Sequence, residues 1–148
     1  YDHYIGRNFV TKEYQERLLE RGLRRLLYSQ KLVDRFQEAQ VGDDDFHVRF
    51  PFVHLEDERP TRVIKPFYLA QDEPNKILTH GGPWVDKVHR LKKRGTLPQN
   101  VLFAVQGPSR NQEKQFHAYE EICGDLRESG INVIPVAEQA KIVEFAQV

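Results

Sequence analysis

The sequence has no methionine, one cysteine and one tryptophan, and its charges cancel: 22 Lys and Arg stand against 22 Asp and Glu. A lone Cys123 excludes an intrachain disulfide and fits a reducing compartment, so a cytoplasmic location is expected. No apolar run approaches the roughly 20 residues that cross a bilayer, and no signal-peptide pattern is present, so a membrane partner is not expected. A zero net charge argues against a dedicated, strongly basic nucleic-acid binder, but leaves room for a local basic face. None of the six histidines stands at metal-ligand spacing with cysteine, and no glycine fingerprint for phosphate is complete. The chain begins at Tyr1, and with no methionine it is expected to be a fragment of a longer protein with a domain upstream.

What is present is the composition of a globular domain: 148 residues, 39% apolar and 30% charged. No repeat, low-complexity tract or linker divides it, so residues 1–148 are expected to form one domain. Thr11 is placed to cap a long helix from Lys12 to Gln37, with Leu18, Gly22, Leu26, Val33 and Phe36 along its buried side. Phe46 to Leu55 alternates with the strand period, and Arg62 to Leu69 follows after a polar six-residue loop, predicting a hairpin. Gly81-Gly82-Pro83 predicts the start of a second helix running to Arg94. Val101 to Val105, a helix from Arg110 to Ser129 with a Ser109–Gln112 capping box, and Ile131 to Val136 predict a βαβ unit with parallel strands. A short helix, Glu138 to Phe145, ends the chain. The order α-β-β-α-β-α-β-α predicts an α/β fold: a mixed β-sheet flanked by helices.

Two basic sets stand out. Arg17, Arg21, Arg24, Lys31 and Arg35, with Tyr28, recur at three- and four-residue steps and fall within about 40° of one line on a continuous helix. Guanidinium groups so spaced contact successive phosphates, and an interleaved tyrosine stacks on a base. Glu16, Glu20, Asp34 and Glu38 lie beside them, and the competing reading is a solvated face neutralised by helical pairs. Lys87, Arg90 and Arg94 cluster at the end of the second helix with Lys92 and Lys93; they either touch phosphate or complement the helix dipole.

Lys65 is out of place. It shares a strand face with Val63, Phe67 and Leu69, and burying an ammonium is costly unless it is paired. It either has a task or reaches the strand edge along its flexible stem. Acids gather at Asp43, Asp44 and Asp45 and again at Asp72 and Glu73; a regular hairpin would bring these ends together, where they either suit a hard cation or are ordinary turn residues.

A helix, a hairpin of strands with a lysine midway along the second, then a helix and a further strand resemble the restriction-endonuclease-like (PD-(D/E)xK) superfamily over about residues 11 to 136. The resemblance implies Mg²⁺-dependent phosphodiester cleavage, with Asp45 standing for the first acid and Lys65 for the lysine. The position two before Lys65 is Val63, where the family has Asp or Glu, which implies a degenerate site. The function expected is therefore a non-enzymatic, nucleic-acid-associated or regulatory domain on a nuclease-like scaffold, binding DNA or RNA and needing no cofactor. The alternatives are a Mg²⁺-dependent nuclease with a displaced acid and an oligomerisation or protein-interaction domain using the apolar side of the first helix.

Overall fold

The structure, a computed structural model, describes residues 12–147, and the expected cap Thr11 lies outside them. Helix α1 (Lys12–Ser29) and a single 3-10 turn (Val33–Arg35) lead into β1 (Gln37–Gly42), β2 (His47–Glu56) and β3 (Arg59–Tyr68). Then come α2 (Pro74–Lys93), β4 (Asn100–Gln106), α3 (Glu113–Glu128), β5 (Asn132–Pro135) and α4 (Gln139–Gln147). The five strands form one sheet in the order β1-β2-β3-β4-β5. The first three are antiparallel, and β3, β4 and β5 are parallel. The α/β class and the parallel strand-helix-strand unit are those the sequence predicts; the strand count is one higher.

The sheet sorts its side chains by the strand period. Val63, Phe67, Phe103 and Val105 point to one face and pack with Ile77, Leu91, Ile122 and Leu126 of α2 and α3. Ile64, Leu102 and Ala104 point to the other and pack with Leu23 and Leu27 of α1 and Ile142 of α4. The result is three layers, with α2 and α3 on one side and α1 and α4 on the other. No helix among the described residues is long and apolar enough to cross a membrane.

The departures from expectation have local causes. Helix α1 ends at Ser29, not Gln37. Leu32 N–H donates to Leu27 O at 2.8 Å and Lys31 N–H to Tyr28 O at 3.0 Å, with Lys31 at φ 61°. That is a Schellman stop, sealed by Leu32 and Leu27 in one apolar cluster. The position that favours glycine holds lysine, so the stop carries no glycine signal. Strand β1 was hidden because it is a polar edge strand, with only Val41 buried. The β2–β3 connection is a two-residue turn, not a six-residue loop: Asp57 and Glu58 both have positive φ, as a type I′ hairpin turn requires. Helix α2 begins at Pro74, so Gly81, Gly82 and Pro83 lie inside it. Gly81 is needed there because a Cβ would come within 2.7 Å of Ile122 on α3. At α3 the Ser109 hydroxyl caps no helical N–H; the backbone N–H of Ser109 donates to Gln112 Oε1 at 3.3 Å, which is half of the expected box.

Lys31→Gly removes the left-handed strain of a side chain at the α1 stop while adding some unfolded-state entropy. It is expected to stabilise the domain by about 0.5–1 kcal/mol. Urea unfolding of the variant reads this directly; an unchanged or lower midpoint refutes the Schellman assignment.

Candidate functional site

The ladder between β2 and β3 stops at Phe52 and Ile64. Beyond it, residues 47–50 of β2 pair only with β1 and residues 65–68 of β3 only with β4. Both strands carry a proline at this point, Pro51 and Pro66, and neither has an N–H to give. A cleft of about 310 Å³ opens there, between Phe50 and Pro51 on one strand and Lys65 and Pro66 on the other, under Glu13, Glu16, Arg17 and Glu20 of α1.

Leu69 N–H donates to Gln106 O of β4 at 2.8 Å, so the preceding N–H, that of Tyr68, points back into the split. Glu16 takes the place of the missing strand: its Oε2 accepts from Tyr68 N–H at 3.0 Å and from His80 Nε2 at 2.7 Å. Burial works to raise the Glu16 pKa, but the His80 bond, the nearby Lys65 charge and the Tyr68 N–H together bring it below the ordinary carboxylate value. Helices α1 and α2 are thereby joined across the sheet through one carboxylate oxygen.

Lys65 is only 7% exposed. Among the described residues no carboxylate lies within 4.0 Å of its ammonium and no acceptor bonds to it. Its Nζ instead rests 4.1 Å from the Trp84 ring centroid and 5.7 Å from that of Phe67. Lys87 Nζ lies 4.2 Å from the same indole, so two ammonium groups share one ring. Burial pushes the Lys65 pKa down and Lys87 adds to this, while Glu16 and Glu20 oppose it. Two other acids of the cleft are paired: Glu38 with Arg49 at 2.9 Å and Glu20 with Arg24 at 3.1 Å. Lys65 is a buried hydrogen-bond donor at the wall of the cleft, an arrangement suited to an anionic oxygen.

The carboxylates expected around Lys65 are elsewhere. Asp45 lies in the β1–β2 turn and meets Arg94 at 3.5 Å, and Asp43 binds the same guanidinium at 3.1 Å. Asp43 also accepts from the N–H groups of Phe46 and Asp45, which together with Arg94 lowers its pKa: these acids are turn residues. Asp72 pairs with Lys76 at 3.3 Å. Val63 is fully buried in the core. Among the described residues no group of three His, Cys, Asp or Glu side chains could hold a metal ion.

Beside the cleft, α1 presents its outer face. Arg17, Arg21, Arg24 and Tyr28 keep their common line there, and Tyr28 is 74% exposed. Lys31 and Arg35 leave it, because the helix has ended: Arg35 donates to Gln147 O at 2.6 Å at the end of α4. In their place stands Arg25, which a line drawn for a longer helix passed over. Arg21, Arg24, Arg25 and Tyr28, with Val33, surround a groove of about 400 Å³. Arg24 also lies 4.9 Å over Phe52, while Arg21 and Arg25 have no acidic partner among the described residues. The second basic set is on α2, across the sheet from α1, and its members have local contacts: Lys87 with Trp84, Arg90 with Asp86 at 3.7 Å, and Arg94 with the two aspartates. Helices α1 and α2 carry no single continuous basic surface.

No protein-family model, no curated protein and no solved structure matches the chain.

The buried charges set a pH signature. The folded pKa of Glu16 is lowered, so the stability it contributes is present above the ordinary value of 4.5 and is lost as pH falls through the folded pKa. Glu16→Gln should flatten that acid limb in urea unfolding followed against pH. Lys65 has the opposite effect: its folded pKa is below 10.5, so the cost of its ammonium is full below the folded pKa and fades as pH rises through it. Lys65→Met should therefore stabilise the domain at neutral pH, on the order of 1 kcal/mol; destabilisation would show that the ammonium is well compensated.

Proposed function

We propose that this domain binds nucleic acid along the outer face of α1, with the Lys65 cleft beside it, and does not cleave what it binds. The observation that carries the reading is Tyr28, an exposed aromatic among Arg21, Arg24 and Arg25 in one groove. Guanidinium groups neutralise phosphates without regard to sequence, and a bare aromatic ring offers a stacking surface for an unpaired base. Arg17 belongs to both the α1 face and the cleft, so a backbone following the helix would pass the Lys65 ammonium. The element order, a helix, an antiparallel trio of strands, a helix and a parallel strand, supports a scaffold similar to the PD-(D/E)xK superfamily. The buried Val63 and the dispersal of Asp43, Asp45 and Asp72 into surface pairs support binding without metal-dependent hydrolysis.

Fluorescence anisotropy with a labelled oligonucleotide tests the reading. Affinity should fall steeply with salt, and Arg17→Glu, Arg21→Glu and Arg24→Glu combined should abolish it. Because Arg24 also packs on Phe52, the pair Arg21→Ala and Arg25→Ala provides a gentler control that leaves the fold intact. Tyr28→Ala should weaken single-strand binding about tenfold, the equivalent of one lost stacking contact. Incubation with Mg²⁺ or Mn²⁺ should leave the oligonucleotide whole. Absence of binding at low salt, or binding indifferent to the arginine changes, refutes the proposal; metal-dependent cleavage lost in Lys65→Ala would make the domain a nuclease.

A further inference from the structure

Strands β4 and β5 are parallel neighbours, yet the chain leaves them in opposite directions. From β4 it turns into α3, whose Ala118, Ile122 and Leu126 pack on one face of the sheet. From β5 it turns into α4, whose Ile142 and Ala146 pack on the other. Diverging connections at the carboxyl ends of adjacent parallel strands leave a crevice between them, the place where open α/β sheets receive ligands. Here it measures about 530 Å³, a volume typical of a small-molecule site.

The lining has a definite chemistry. One wall is aromatic: Phe116 and Tyr119 of α3, with ring centroids 5.5 Å apart. Gly107 lets the exit of β4 lie flush on this wall, since a Cβ there would fall 2.5 Å from Tyr119 Cε1. Pro135 and Val136 face it from the end of β5. Arg110, on the β4–α3 connection, lies 5.2 Å over Phe116, and Arg127 comes from the last turn of α3. Neither guanidinium has a carboxylate within 4.0 Å among the described residues, and Glu120 is the single acid in the lining. Arg110 stands at the aromatic end of the crevice: an uncompensated guanidinium there calls for a phosphate, and a flat aromatic wall calls for a planar ring.

We infer that this crevice binds a mononucleotide, with its phosphate at Arg110 and its base against Phe116 and Tyr119. The site is independent of the α1 face. The same chemistry occurs within a nucleic-acid strand, and the experiment separates the two sources.

The protein, labelled with ¹⁵N, is titrated with each of the adenosine, guanosine, cytidine and uridine monophosphates, and amide shifts are followed. At least one should give saturable shifts at Gly107, Tyr119 and Val136. Its nucleoside, without the phosphate, should bind about tenfold more weakly, and Arg110→Ala should weaken the nucleotide by about the same factor. Arg110 is exposed, so the variant's unfolding midpoint should match the wild type. The absence of saturable shifts for all four at millimolar concentration overturns the inference. So does equal binding of nucleoside and nucleotide, or a crevice that responds to an oligonucleotide and to none of the monophosphates. Loss of oligonucleotide binding at α1 with crevice shifts intact would fail the α1 reading alone.

Discussion

The backbone of β3 cannot pair with β2 beyond Ile64, and much else follows from that. Prolines at 51 and 66 supply no N–H at the point where the ladder stops, and the two strands go on to separate partners. A gap in the middle of a sheet exposes backbone groups that must be satisfied. Glu16 satisfies the Tyr68 N–H, and in doing so it fixes the first turns of α1 over the gap and binds His80 of α2. The carboxylate thus sets the relation of two helices that lie on opposite faces. It also stabilises, at a distance, the lysine buried beside the gap in an apolar environment.

The placement of charge on α1 follows from where that helix can stop. Leu27 and Leu32 are both drawn into the core on the α1 side, and the Schellman turn joins them over a short distance. The shortened helix divides its basic residues: those before Tyr28 remain on an open face, and Arg35 turns inward to the end of α4. Arg62 is recruited there too, donating to Phe145 O at 2.9 Å. Cations that share a spacing in sequence thus have two different roles, one at the surface and one holding the last helix to the sheet.

The elements legible in the sequence were those whose apolar period repeats with ordinary punctuation. Val101 to Val105, the third helix ending at Gly130 and the alternation through Phe46 to Phe52 are all of this kind. The rest was obscured by residues acting in the place of others. Lys31, Asp57 and Glu58 occupy left-handed positions where glycine or asparagine would have marked a stop or a tight turn. Gly81 and Pro83, which read as a break, belong to a helix interior whose tertiary packing outweighs their propensity. The candidate site divides in the same way. Lys65 was visible because an ammonium on an apolar strand face is anomalous in one dimension. Glu16 and His80 are 64 residues apart, and nothing local in either marks the pair. Asp45 stands out in the sequence only by its position before a strand, and its surroundings make it a turn residue.

Trp84 is the only tryptophan in the chain, and the ammonium groups of Lys65 and Lys87 both lie over its ring. The emission of an indole depends on the electric field across its ring, and here two ammonium charges lie at about 4 Å. Neutralising, displacing or hydrating either one changes the field. The protein therefore carries a built-in optical reporter of its cleft: the wavelength and intensity of its intrinsic fluorescence register the occupancy and protonation of Lys65 without any label.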